Sequence, residues 1–122
     1  MKREIKFRGK THKGDWAFGF IMINKDFITK KDYFYIHQIG EHSGSFAWAV
    51  EVIPETVGQY IGLKDKSENR IYEGDIVDKW SDGKELIEIE FENAIYLMQE
   101  GVLSDSCTIV GNIYDNPELT AE

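Results

Sequence analysis

The residues best suited to chemistry lie in the middle of the chain, in the stretch QYIGLKDKSENRIYEGDIVD from Gln59 to Asp78. Asp65, Glu73, Asp75 and Asp78 bring several carboxylates into it. Paired carboxylates can hold Mg²⁺ or exchange protons, so an acidic corner of Asp65, Glu73 and Asp75 could serve a metal-dependent or general acid/base reaction. A structural reading competes and is favoured. Glu73-Gly74-Asp75 between Tyr72 and Ile76 has the composition of a tight corner, where Gly74 supplies a permissive φ and Asp75 can bond its own backbone. No residue is assigned a catalytic or metal-binding role.

A second candidate set is basic. Lys2, Lys6, Arg8 and Lys10 share one face of an alternating segment and could contact phosphates or a protein partner, although lysines on a solvated strand also blunt a sheet edge against aggregation. The solvated edge is the favoured reading. His37 lies within an aromatic strand, and His42 follows across Gly40, but two histidines without cysteine or a carboxylate cluster are a weak metal signal. Cys107 has no paired histidine or nucleophile elbow and reads as buried filler. The P-loop, the dinucleotide-binding glycine motif and the aromatic-basic single-strand binding motif are all missing, so no cofactor is expected.

Composition limits the function classes. The 122 residues are 42% hydrophobic and 13% aromatic, enough for the core of one domain. The net charge of −8 repels polyanions and disfavours nonspecific nucleic-acid binding. Its distribution is uneven: residues 1 to 40 hold nine basic and four acidic residues (+5), and residues 41 to 122 hold five and eighteen (−13). Opposite charges can meet across strands of one molecule or between copies. One cysteine, no apparent leader segment and no apolar run near ~20 residues lead to the expectation of a cytoplasmic protein without a membrane span.

These residues need elements to position them. Arg3 to Lys10 alternates as a half-buried strand, with Arg3, Ile5 and Phe7 on one face. Trp16 to Ile23 is a buried strand with a bulge or close backbone contact at Gly19. Asn24 to Asp26 turns, Phe27-Ile28 begins another strand, and Tyr33 to Ile39 and Phe46 to Ile53 are two more. Pro54 to Gly58 is a single helical turn. The Asp82-Gly83 pair marks a hairpin. Leu86 to Phe91 alternates as a strand with Ile87, Ile89 and Phe91 inward, Asn93-Ala94 turns, and Ile95 to Met98 is a further strand. The expected core is Trp16, Phe18, Phe20, Trp48, Ile61, Ile71, Ile76, Ile89, Phe91, Ile109 and Ile113.

Three blocks carry a family resemblance: REIKFRGK (3–10) with GDWAFG (14–19) behind it, PETVGQYIGLKDK (54–66) running on to IYEGDIV (71–77), and VGNIYDNPEL (110–119). In order and spacing they resemble the YopX family of small phage and prophage proteins. The resemblance implies a single, mainly β domain, with an N-terminal β layer over residues 1–58 packed on an SH3-like barrel over 59–119, and no established activity. Where the family has Asn-Gly in its central turn, this chain has Ser67-Glu68, and the positive-φ position is expected at Asn69.

Three functions follow, in order of preference. The first is a noncatalytic phage or prophage module that contacts host or phage proteins or forms a homo-oligomer. The second is a nucleic-acid accessory protein using the basic N-terminal strand. The third is a metal-dependent enzyme using Asp65, Glu73 and Asp75.

Overall fold

The computed structural model describes residues 6–38 and 49–119. The chain is mainly β, with one α-helix among these residues, and it divides between Gln59 and Tyr60 into two compact units.

In the N-terminal unit, β1 (Phe7–Lys10), β2 (Trp16–Lys25), β3 (Asp32–Gln38) and β4 (Ala49–Val52) form an antiparallel sheet in the order β4-β3-β2-β1. The start of β5 (Gly58–Lys64) pairs with the other side of β1, through Phe7 with Gln59 and Arg8 with Gly58. β1 is therefore an internal strand, which corrects the expected lysine-blunted edge. A 3-10 turn over Pro54–Thr56 joins β4 to β5, as the Pro54 to Gly58 stretch suggested. Its Thr56 hydroxyl accepts the Lys10 N–H at 2.8 Å, the Ile53 N–H donates to the Lys10 carbonyl at 2.8 Å, and Thr11 forms a bridge with Val52.

Register decides which face is buried. Arg8 pairs with Phe18, Lys10 with Trp16 and Phe20 with His37, and directly opposed residues share a face. The core lies on the other face, where Ala17, Ile36 and Val52 are buried against Phe7, Ile21, Phe34 and Val50. This reverses the expected phase of β2. Trp16 is half-buried, while Phe18 and Phe20 are 41% and 51% exposed. Gly19 lies against the neighbouring strand β3, where an added Cβ would collide with the His37 carbonyl, so the close strand approach there needs glycine. Trp48 lies outside the described residues.

In the C-terminal unit, β5 continues into a hairpin with β6 (Arg70–Tyr72). β7 (Asp75–Asp78) is the middle strand of a second sheet, β8-β7-β9, between β8 (Leu86–Glu88) and β9 (Thr108–Asn112). These strands do not close into the SH3-like barrel expected over 59–119. The sequence reading of residues 89 to 98 is also corrected, because α1 (Phe91–Gln99) replaces both the end of one expected strand and all of the next. Ala94 is buried, and Phe91, Leu97 and Met98 pack with it against Ile61, Ile71, Val77, Ile89, Leu103 and Cys107. Phe91, Ala94 and Met98 recur at helical spacing, and a short apolar run satisfies either period. Ile61, Ile71, Ile76 and Ile89 are core residues as expected; Ile109 packs against that core and Ile113 is partly buried.

Candidate functional site

Two carboxylates of the acidic corner, Asp65 and Asp75, cap backbone, and so does Asp78 beyond it. Asp65 closes the turn between β5 and β6: its Oδ1 accepts the N–H groups of Ser67 and Asn69, each at 2.9 Å, and its Oδ2 accepts the Ile109 N–H of β9 at 3.1 Å. Burial by itself raises the pKa of this carboxyl, but together the Ile109, Asn69 and Ser67 N–H groups outweigh burial and hold it below its ordinary range. Glu68, at φ +66°, takes the left-handed position in this turn, rather than the expected Asn69.

Asp75 caps the next corner. Its Oδ2 accepts the Tyr72 N–H at 2.8 Å, and it is buried. Gly74 stands between them at φ +91°, with its N–H donated to the Ile89 carbonyl and its carbonyl accepting the Ile113 N–H. Glu73 is partly buried at the same corner. Asp78 is buried at the end of β7, where its Oδ2 accepts the Gly83 N–H at 2.7 Å and its Oδ1 has no hydrogen-bond partner. Gly83, at φ +78°, belongs to the expected Asp82-Gly83 hairpin, although the connection spans residues 79–85 rather than two. Among the described residues, no group of three or more His, Cys, Asp or Glu side chains could hold a metal ion. Cys107 is fully buried, and burial first, then the Asp65 charge, push its thiol up from 9.0 to about 11, so it is a neutral thiol at physiological pH.

The basic strand is less solvated than its alternation implied. Lys2 lies outside the described residues, and Lys6 and Lys10 are half-exposed. Arg8 is buried, with its guanidinium 4.4 Å from the centre of the Trp16 ring, and the Lys10 ammonium is 5.9 Å from that ring. Such stacking over tryptophan is attractive and uses Arg8 as part of the fold. His37 sits opposite Phe20 with a buried Nε2 that has no hydrogen-bond partner; His42 lies outside the described residues. A cleft of about 510 Å³ opens near the Thr11 to Asp15 turn, lined by Thr11, His12, Lys13, Trp16, Gln38 and Glu51 among others. The His12 Nε2 and a Glu51 carboxylate oxygen face each other there at 3.4 Å, both side chains exposed.

Sequence reasoning missed the exposed apolar residues. Phe18 and Phe20 share the Arg8 and Lys10 face, and at the β2–β3 connection Phe27 and Ile28 are 81% and 92% exposed instead of starting a strand. The signal was present in the second case: Asp26 followed by residues that need local backbone bonds describes a turn tip as well as a strand start.

The family profile described as YopX protein matches residues 6–121, nearly the whole chain. The chain belongs to the YopX family. Among curated proteins, none matches this YopX chain. Among solved structures it is similar to that titled "Crystal structure of protein EF1440 from Enterococcus faecalis", at a TM-score of 0.57 and 23% identity, over 98% of this chain and 100% of the other. At that identity the likeness concerns the fold. No helix among the described residues of the YopX chain is long and apolar enough to cross a membrane.

Proposed function

We propose that this YopX protein is a phage- or prophage-encoded, noncatalytic module that works by protein contact, including contact between copies, using the outward face of its N-terminal sheet. The observation that carries this reading is the exposure of Phe18 and Phe20 on that face while the core is built on the other. A large apolar side chain left in water forgoes about 1.5–3 kcal/mol of burial, and contiguous exposed apolar groups mark interaction sites. The groups suited to chemistry support the same reading from the opposite side: Asp65 and Asp75 are engaged by backbone amides, and the Cys107 thiol is neutral. The SH3-like plan finds better support in the N-terminal unit, through the order β4-β3-β2-β1-β5, the 3-10 turn before β5 and the Thr11 to Val52 bridge.

The test is a Phe18→Ser, Phe20→Ser double variant compared with wild type by solution mass and by capture of defined phage and host proteins. Folded variant protein with unchanged association would remove this face from the function. A nucleic-acid reading has one observation in its favour, the placement of Arg8 and Lys10 on the strand beside Phe18, with Lys6 just before it, where bases could stack and phosphates pair. Salt-sensitive binding of a labelled oligonucleotide, lost in Lys6→Ala, Lys10→Ala protein, would support it.

A further inference from the structure

The β2–β3 hairpin ends in a knob. Phe27 and Ile28 are the most exposed large hydrophobic residues described, and Ile23 on the approaching strand is 56% exposed. Lys25, Lys30 and Lys31 surround them and are exposed. The tip is held in one shape by its own backbone: the Asp26 carboxylate accepts the Ile28 N–H at 2.8 Å and the Thr29 N–H at 3.3 Å, the Lys30 N–H donates to the Asp26 carbonyl at 2.7 Å, and the Asp26 N–H donates to the Lys31 carbonyl at 2.8 Å. Lys30 completes the turn at φ +62°. A tip fixed in this way loses little conformational freedom on docking. Asp26 stays ionised on these amides and the exposed Asp32 stands opposite Lys25, so the three lysines leave the tip a positive excess of one charge, with Lys30 and Lys31 beside the apolar pair.

The outer face of α1 has the complementary character. Glu92, Ile95, Tyr96 and Gln99 follow the i, i+3, i+4, i+7 spacing of one helical face, opposite the side that carries Ala94 into the core. Tyr96 is 62% exposed and Ile95 36%. Glu92 and Glu100 border the pair, and α1 contains no lysine or arginine.

We infer that the Phe27-Ile28 hairpin tip docks on the outer face of α1 in a second copy of this chain, with Lys30 and Lys31 against Glu92 and Glu100. The inference rests on the reading of the protein as a contact module and names the surface and the occupant. The two patches differ, so the contact is heterologous and can continue from copy to copy or close into a ring. An anionic membrane is the poorer occupant, because a chain of net charge −8 is repelled by such a surface. An apolar pair with a charged rim is a small interface, so association is weak, concentration-dependent and reduced by salt.

Sedimentation velocity of the full chain from about 10 to 500 µM, the range in which small interfaces associate, provides the test. Wild type should gain mass with concentration and lose it in high salt. Phe27→Ser with Ile28→Ser should abolish association, and Lys30→Glu with Lys31→Glu, or Glu92→Lys with Glu100→Lys, should each weaken it by tenfold or more. The decisive arm mixes the two charge-reversed proteins, which should associate with each other more tightly than either does alone. Far-UV circular dichroism checks that each variant is folded. Wild type that stays monomeric throughout overturns the inference, as does association that the tip variants leave unchanged. Association lost in Phe18→Ser, Phe20→Ser but not in the tip variants overturns it while leaving the sheet-face function standing. Tip-dependent binding of monomeric wild type to phosphatidylglycerol vesicles overturns it in favour of a lipid surface.

Discussion

The carboxylate of Asp65 reaches 44 positions along the chain to accept the backbone N–H of Ile109 at 3.1 Å, and the same side chain closes its own turn through Ser67 and Asn69. One buried carboxylate thus joins the β5–β6 hairpin to β9. Replacing Asp65 by Asn puts an amide NH₂ where one acceptor stood and leaves a backbone donor unpaired, at a cost of about 1–3 kcal/mol in chemical denaturation. The pH dependence has a defined sign. A depressed carboxyl pKa contributes stability above its ordinary value of 3.8 and loses it as pH falls through the lower folded value. Wild type should therefore lose stability more steeply below pH 4 than Asp65→Asn, and parallel acid limbs would refute the role.

The corner at Gly74 makes a comparison possible. Valine there must adopt φ +91° with a branched Cβ, and a Cβ at this site already comes within 2.9 Å of the Tyr114 ring. Asp75→Ala removes the acceptor for the Tyr72 N–H without straining the backbone. Gly74→Val should cost about 3 kcal/mol or more and Asp75→Ala about 1–3 kcal/mol in urea melts. Equal losses would give the Asp75 carboxylate a larger role than capping.

Glu68 occupies a left-handed conformation that an L side chain tolerates poorly. Glycine relieves about 1–2 kcal/mol of that strain and returns roughly 0.5–1 kcal/mol as unfolded-chain entropy. Glu68→Gly should stabilise the protein by about 0.5–1 kcal/mol, seen as a higher Tm. Lower stability would mean that the Glu68 side chain contributes more than its backbone costs.

The Cys107 thiol should resist alkylation in folded protein at pH 8 and react once the chain is unfolded. Its raised pKa contributes stability that is fully present below about 9 and lost as pH rises towards about 11. Wild type should lose more Tm than Cys107→Ala between pH 9 and pH 11. Rapid labelling of native protein would show that the thiol is accessible.

The residues themselves determined the family, the mainly β character, the corner at Gly74, the turn at Gly83 and the burial of Ile61, Ile71, Ile76, Ile89 and Cys107, because these depend on local backbone preference and on strongly apolar side chains among polar neighbours. Tertiary structure decided the rest. The run WAFGFIMI is apolar in either strand phase, and the packing of Ala17 and Ile21 with Ile36 and Val52 is the phase that turns Phe18 and Phe20 outward. Residues 91 to 98 fit a strand or a helix until Ala94 and Met98 find the core beside Cys107. Arg8 read as a solvated cation until β5 paired beside it and the Trp16 ring lay against its guanidinium. Asp65 and Asp75, which the sequence offers either as acids or as caps, accept backbone N–H groups in the fold. A carboxylate is a free acid or a cap according to which backbone N–H groups the fold brings to it, and the Ile109 donor to Asp65 lies too far along the chain for local sequence to reveal.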